Sequence, residues 1–221
     1  MHRMTNDDVV GFVTDELFWD PKLDSASIAV SADDGRVTLR GSVGTLAEKR
    51  EAEQAAQKVL GVVSVDNELD IVLIDDDGKR EDAKLRGDIL QALMLNSVVP
   101  QTVDAQVYDG IVTLTGTVEW QYQRNEAERV AATIGGALEV VDETKLVSAT
   151  PPAGGTEAAI REAFKRNARL EADRFIIGAS NGAVTIEGVV SSWAEHDEAL
   201  AAVWSVPGVT EVEDRVRIAY P

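Results

Sequence analysis

The chain has 221 residues, of which 44% are hydrophobic and 27% are charged, a composition typical of folded globular proteins rather than disordered ones. Its 39 acidic and 21 basic side chains give a formal net charge of −18, which argues against nucleic acid as a partner because phosphate-backbone binding needs clustered Lys and Arg. Cysteine is absent, so disulfides, thiolate catalysis and thiolate-bound metals are excluded.

The first predicted element is an amphipathic helix over residues 7–18, with Asn6 or Asp7 as its N-cap. A strand with alternating apolar residues follows at 28–32, and the dipeptide Asp34-Gly35 predicts the tight turn of a β-hairpin. A longer amphipathic helix over 46–60 and a last strand over 62–73 complete the pattern. Together these elements predict an αββαβ unit.

This unit occurs three times along the chain. A Gly-x-Val-Thr-Leu/Ile-x-Gly motif spans 35–41, 110–116 and 182–188, and in every copy another glycine follows 20 residues after the motif. Because the spacings are kept without an insertion, we interpret the chain as three copies of one unit of about 70 residues. The recurring glycines are Gly35, Gly41, Gly61, Gly110, Gly116, Gly136, Gly182, Gly188 and Gly208.

The later copies repeat the elements of the first. Helices are predicted over 82–94, 120–134, 156–168 and 193–206. The predicted fold class is therefore α+β, with three tandem modules that each pack two helices on one face of a small three-stranded sheet. Module boundaries are expected at 1–75, 76–150 and 151–221, since polar and Pro/Gly-rich linkers lie at 75–80 and 150–155. We expect the copies to pack on one another at least in part.

These features resemble the BON domain family, named for bacterial OsmY and nodulation proteins. The resemblance rests on the Gly-x-Val-Thr-Leu-x-Gly hairpin, the Ala-bearing second helix and the final Gly-Val-x-x-Val-x-Asn/Asp segment, and it covers about residues 7–220. It implies a non-enzymatic module linked to osmotic or envelope stress and to phospholipid surfaces. One cytoplasmic relative resembles a potassium sensor.

One basic stripe interrupts the acidic surface. By spacing, Arg161, Lys165 and Arg169 lie on one face of the predicted helix 156–168 and its continuation, with Arg166 beside them. We favour a solvated helix face that balances neighbouring acids. The alternative is a docking site for a phosphate-bearing surface or an acidic protein neighbour.

The tryptophans allow two interpretations. Trp120 and Trp193 begin the long helices of the second and third copies, where an exposed indole would anchor at a lipid interface or in a partner groove. We favour the alternative that both pack against an adjacent copy. Trp19 is expected to cover the end of the first helix, and Trp204 to belong to a core.

Catalytic candidates are few. His196 follows Ser191 and Ser192, but the corresponding residues of the other copies are Lys49 and Arg124, so we interpret it as part of a solvated helix face. The segment 75–78, Asp-Asp-Asp-Gly, lacks the alternating ligands of a calcium loop and is interpreted as a linker. No catalytic residue, metal site or cofactor is predicted.

We therefore predict a non-enzymatic, stress-associated binding or scaffold protein whose repeated modules engage a membrane periphery or a protein partner. The alternative is a cytoplasmic sensor that binds potassium or another monovalent cation through backbone carbonyls. Asn6, Asp7 and Asp8 stand where a signal peptide would be apolar, and no 18-residue apolar run occurs, so the expected location is the cytoplasm. The oligomeric state is left open.

Overall fold

A computed structural model describes residues 4–72, 81–148, 155–167 and 170–219. Within these ranges the chain forms six α-helices and eleven strands, which confirms the mixed α+β class. The predicted linker at 75–80 lies outside the described residues, as does the predicted linker at 150–155 except for Gly155. No helix in the described ranges is both long enough and apolar enough to cross a bilayer.

The helices follow the predicted order, and the second copy has two short strands beyond the predicted αββαβ pattern. The helices are α1 Asn6–Trp19, α2 Leu46–Lys58, α3 Asp82–Leu95, α4 Gln121–Thr133, α5 Thr156–Arg166 and α6 Trp193–Trp204. The strands are β1 Ile28–Asp33, β2 Arg36–Val43, β3 Ser64–Ile71, β4 Asp104–Tyr108, β5 Ile111–Thr115, β6 Thr117–Val118, β7 Glu139–Asp142, β8 Lys145–Leu146, β9 Phe175–Ser180, β10 Ala183–Val190 and β11 Glu211–Ile218.

Each copy contains a three-stranded sheet whose middle strand follows the hairpin turn. The strand orders are β1-β2-β3, β4-β5-β7 and β9-β10-β11, with the hairpin pair antiparallel and the last strand parallel to the middle one. In the second copy β6 and β8 form a separate two-stranded ladder. The parallel pair needs a crossover connection, which the second helix of each copy supplies.

The hairpin turns lie at the predicted dipeptides. Asp34 and Gly35 both have positive φ, 47° and 83°, as a type I′ turn requires, and the same holds at the two later turns. The N-cap of α1 is Thr5 rather than Asn6 or Asp7, because Thr5 forms a reciprocal capping box with Asp8. The Asn6 side chain instead accepts a hydrogen bond from the Asp34 amide, 3.1 Å away, and so ties the helix start to the hairpin.

The described chain divides into two compact units. The first contains Met1–Val118 and Tyr122–Lys145, and thus the first two copies; the second contains Glu119–Gln121 and Leu146–Pro221. In the first copy one core joins α1 and α2 to the sheet, through the buried residues Val9, Val13, Leu17, Val37, Leu39, Ala52, Ala55, Ala56 and Leu69.

The third copy has its own core, in which Phe164 of α5 is fully buried. Its ring meets the ring of Phe175 edge-on, with centroids 5.0 Å apart, an arrangement that aromatic pairs prefer. Trp204 packs on this core, as the sequence predicts.

Candidate binding surfaces

The cations of the basic stripe lie on α5, and two of them form ion pairs within the helix. Arg161 Nε lies 3.2 Å from Glu157 Oε1, and Lys165 Nζ lies 2.8 Å from Glu162 Oε1. Arg166 is exposed at the end of the helix, and Arg169 falls outside the described residues. Because local acids offset two of these charges, the stripe presents less positive charge than its sequence implies.

Trp120 and Trp193 are both half-buried. Trp120 precedes α4 instead of opening it, and its segment belongs to the unit of the third copy. Trp193 is the first residue of α6, and its ring meets the imidazole of His196 edge-on at a centroid distance of 5.2 Å. A half-buried indole offers only part of its surface to a lipid or partner.

His196 is buried, with 8% of its surface exposed, so its interpretation as part of a solvated helix face is wrong. Its Nδ1 lies 3.0 Å from Asp197 Oδ1, and its Nε2 lies 2.8 Å from Asp214 Oδ2 on β11. The bond to Asp197, followed by that to Asp214, raises the pKa of His196 above its usual 6.5 even though burial opposes the charge. Both ring nitrogens of His196 are therefore already held by carboxylates.

The neighbouring serines have other roles. The Ser192 hydroxyl caps α6 by accepting a hydrogen bond from the Glu195 amide, and the Ser191 hydroxyl donates to the Glu195 carboxylate. Neither bond involves the imidazole. The described residues also place no group of three or more His, Asp or Glu side chains suited to a metal ion, while the acidic segment 75–78 lies outside them.

An exposed apolar surface lies at the end of α1 and is the feature that the sequence reasoning missed. We call it the Trp19 patch and define it as Phe12, Phe18, Trp19 and Leu60, whose exposed fractions are 54%, 66%, 76% and 56%. Trp19 therefore does not cover the helix end as expected. The rings of Phe18 and Trp19 meet edge-on, with centroids 5.2 Å apart.

The periodicity of α1 explains why the patch is exposed. Val13 and its neighbours at i±4 face the core, whereas Phe12 and Trp19, seven residues apart, share a face beside that stripe. With Leu60 and Met4 these two rings line a groove of about 350 Å³. Asp15, Glu16 and Lys58 also line it, so both apolar and charged side chains face the groove.

The first helices of the three copies end differently. α1 ends in Phe18-Trp19 and α3 in Met94-Leu95, which are 68% and 74% exposed, whereas α5 ends in Lys165-Arg166. The aromatic end is thus a property of the first copy, and the basic end a property of the third. An exposed aromatic pair is the stronger mark of an interaction surface.

A larger cavity, of about 720 Å³, lies between α2 and α4 within the first unit. Its charged groups are already partnered: Lys22 Nζ lies 2.8 Å from Glu51 Oε2, and Arg50 Nη1 lies 3.4 Å from Glu128 Oε2. Arg129, also in its wall, pairs with Glu126. Of these pairs, Arg50–Glu128 joins the two copies. Because its charged groups are already paired, the cavity is a weaker candidate for ligand binding than the apolar patch.

Comparisons with known proteins agree with the repeat structure. The family model described as BON domain matches residues 7–72, 81–148 and 153–220. The osmotically-inducible protein Y of Escherichia coli is 33% identical over 125 residues, which cover 55% of this chain and 62% of that protein. The match thus spans less than two thirds of that relative's length.

Solved structures give only a distant likeness. CdsD, a structural protein of the type III secretion system of Chlamydia trachomatis, is 15% identical with a TM-score of 0.28, covering 97% of this chain and 93% of that one. The structure of its C-terminal domain is 13% identical with a TM-score of 0.26, covering 98% and 100%. Since the family model matches most of the chain in three segments, each containing a glycine hairpin described above, this protein belongs to the BON domain family.

Proposed function

We propose that this protein is a non-enzymatic, stress-associated binding protein whose Trp19 patch engages a phospholipid membrane periphery. Its family membership and its similarity to an osmotically-inducible protein support the stress association. We also propose that the three matched segments act as three tandem αββαβ modules, each with its helices on one face of its sheet, and that the protein works in the cytoplasm.

The exposure of the Trp19 patch carries this proposal. Large apolar side chains exposed together are uncommon on monomeric soluble proteins and mark contacts with proteins or membranes. Trp and Phe suit the interface between lipid headgroups and acyl chains, where an aromatic ring replaces water contacts with apolar ones. Phe18 and Trp19 supply two such rings at the end of α1, and Phe12, about two turns earlier, supplies a third.

The charge of the protein decides which lipid is favoured. Asp15 and Glu16 lie beside the patch, and the whole chain carries −18, so an anionic bilayer repels it within the Debye length. We therefore expect apolar insertion into zwitterionic phosphatidylcholine to be stronger than binding to phosphatidylglycerol-rich vesicles. If the basic helix α5 were the binding surface, the protein would instead prefer phosphatidylglycerol-rich vesicles.

Flotation with vesicles tests this proposal. The full chain should float with phosphatidylcholine vesicles, and Phe12→Ser with Trp19→Ser should weaken binding at least about tenfold, since each buried aromatic ring contributes about 1.5–3 kcal/mol. Tyr108→Ser is the matched control, because Tyr108 is 81% exposed on β4, away from the patch. If the chain binds no vesicles but captures a protein partner in a way that needs Trp19, the membrane proposal is wrong and the patch binds a protein.

The cation-sensor alternative predicts a different result. A potassium site in the folded protein would raise the unfolding temperature more in KCl than in NaCl at equal ionic strength, since a ligand stabilises the state that binds it. Our proposal predicts equal shifts, because both salts only screen the net charge of −18. A potassium-selective shift would favour the sensor.

A further inference from the structure

A polar contact between the second helix and the last strand recurs in all three copies, with different chemistry in each. Lys49 of α2 donates from Nζ to the carbonyl of Leu69, 2.6 Å away, and Asn67 Nδ2 donates to the carbonyl of Lys49 at 2.7 Å. In the second copy Arg124 Nε lies 2.7 Å from Asp142 Oδ2. We call this contact the helix–strand clasp.

His196 and Asp214 form the clasp of the third copy. The positions correspond by spacing, since Lys49, Arg124 and His196 each stand eight residues after the second glycine of their hairpin motif. Lys and Arg keep their positive charge across the neutral pH range, whereas His changes its charge there. The third clasp is thus the one among the three whose cation titrates near neutral pH.

The surroundings of the imidazole favour its protonated form. The carboxylates of Asp197 on α6 and Asp214 on β11 contact its two nitrogens. Charged groups on the neighbouring elements are Glu195, bound by Arg174 near the start of β9, and Glu198, bound by Asn167 at the end of α5. Glu187 of β10 and Arg215 of β11, which interact, lie on the opposite face of the sheet. The charged groups in contact with the ring are therefore both acidic, and the Trp193 ring also contacts it.

We propose that His196 makes the third copy a pH-responsive module: the protonated imidazole ties α6 to β11 through Asp214, and its deprotonation loosens this clasp while the clasps of Lys49 and Arg124 stay closed. On deprotonation the ring can donate only one of its two hydrogen bonds, and two carboxylates lose their counter-charge. The third copy then differs from the first two in responding to alkalinisation of its surroundings.

The direction of the response follows from linkage. The folded-state pKa of His196 is raised above 6.5, so protonation stabilises the folded third copy. This stabilisation is fully present below about pH 6.5 and is lost as the pH rises through the higher folded-state pKa. Each unit by which that pKa is raised corresponds to about a tenfold change in the opening equilibrium.

Two measurements on the full chain test the proposal. Imidazole NMR signals should show His196 titrating above 6.5, with His2→Gln used for assignment. Hydrogen-exchange protection factors, corrected for the intrinsic rate, should fall for α6 and β11 between pH 6 and 8.5, by about tenfold for each unit by which the folded-state pKa exceeds 6.5. The corresponding amides of α2 and β3 are the internal control and should change little.

Two variants separate the clasp from general pH effects. His196→Arg copies the residue of the second copy and should abolish the pH dependence in α6 and β11, while Asp214→Asn should lower the pKa of His196. A wild-type His196 that titrates at or below 6.5 would overturn the proposal. Equal falls of the protection factors in all three copies would overturn it as well. So would a fall in the His196→Arg variant as large as that in the wild type.

Discussion

Arg50 on α2 and Glu128 on α4 lie 3.4 Å apart, an ion pair that joins the first copy to the second within one compact unit. Burial raises the pKa of Glu128, and Arg50 opposes this effect without cancelling it. The attraction of Arg50 therefore offsets only part of the cost of burying the charged carboxylate. Their side chains are 36% and 28% exposed, and solvent screens the attraction.

We therefore expect a small coupling between these two residues. A double-mutant cycle with Arg50→Ala and Glu128→Ala, measured by urea unfolding, should give about 0.5–1 kcal/mol of favourable interaction. Arg36→Ala with Asp66→Ala, whose groups lie 3.9 Å apart on an exposed strand pair, is the control and should couple less. Additive effects at Arg50 and Glu128 would mean that this pair does not join the copies.

Glu126 ties the end of α3 to α4 and gives a pH prediction. Arg129 donates two hydrogen bonds of 2.7 Å to it, and Asn96, the C-cap of α3, donates one of 2.6 Å. Chiefly through Arg129, these bonds lower the pKa of Glu126 to about 2. Because folding lowers the pKa of Glu126, its charged form adds to the free energy of unfolding. This contribution is present above about pH 4.5 and is lost as the pH falls towards 2.

The Glu126→Gln variant should reveal that contribution. Its free energy of unfolding should be about 1 kcal/mol lower than that of the wild type at pH 6, a modest value because the pair is partly solvated. At pH 2.5 the difference should shrink. A difference that stays constant between these pH values would contradict the assigned role.

Gly41 lies where another chain segment comes too close for a side chain. Its φ is 129°, and a Cβ there would lie 1.8 Å from the carbonyl oxygen of Ser27. Gly41→Ala should cost roughly 3 kcal/mol or more of stability, because the backbone must move. Gly87→Ala in α3, where nothing lies within 4 Å, is the control and should stabilise by about 0.5–1 kcal/mol. Similar effects of both variants in urea unfolding would refute this explanation.

The basic helix α5 should contribute little to vesicle binding, since two of its cations pair within the helix. Arg161→Glu with Lys165→Glu should leave flotation with phosphatidylcholine vesicles within about twofold of the wild type. A salt-sensitive loss of binding in this variant would instead assign docking to α5, as the sequence hypothesis holds.

The sequence predicted the local structure well because the signals are local. The bounds of α1 to α6 differ from the predictions by one or two residues at most ends, since apolar periodicity and turn dipeptides such as Asp34-Gly35 act over a few residues. The N-cap at Thr5 was missed because three adjacent residues could all cap, and tertiary contact with the hairpin occupies Asn6.

The functional features depend on contacts that periodicity does not show. His196 is bonded to Asp214, which lies 18 residues away on β11. A comparison with the corresponding residues Lys49 and Asn67 could have suggested this contact. The Trp19 patch depends on Leu60, two residues after the end of α2, lying beside α1. The spacing of Phe12 and Trp19 was the available signal.

Fluorine NMR of the full chain labelled with 5-fluorotryptophan shows whether Trp19 enters a membrane. The chain has four tryptophans, and Trp120, Trp193 and Trp204 are half-buried internal controls, while Trp19 is 76% exposed. With phosphatidylcholine vesicles that carry a spin-labelled lipid, we expect selective broadening of the Trp19 signal, assigned with Trp19→Phe. A Trp19 signal that stays sharp, or that broadens no more than the other three, would contradict the membrane-binding role of the Trp19 patch.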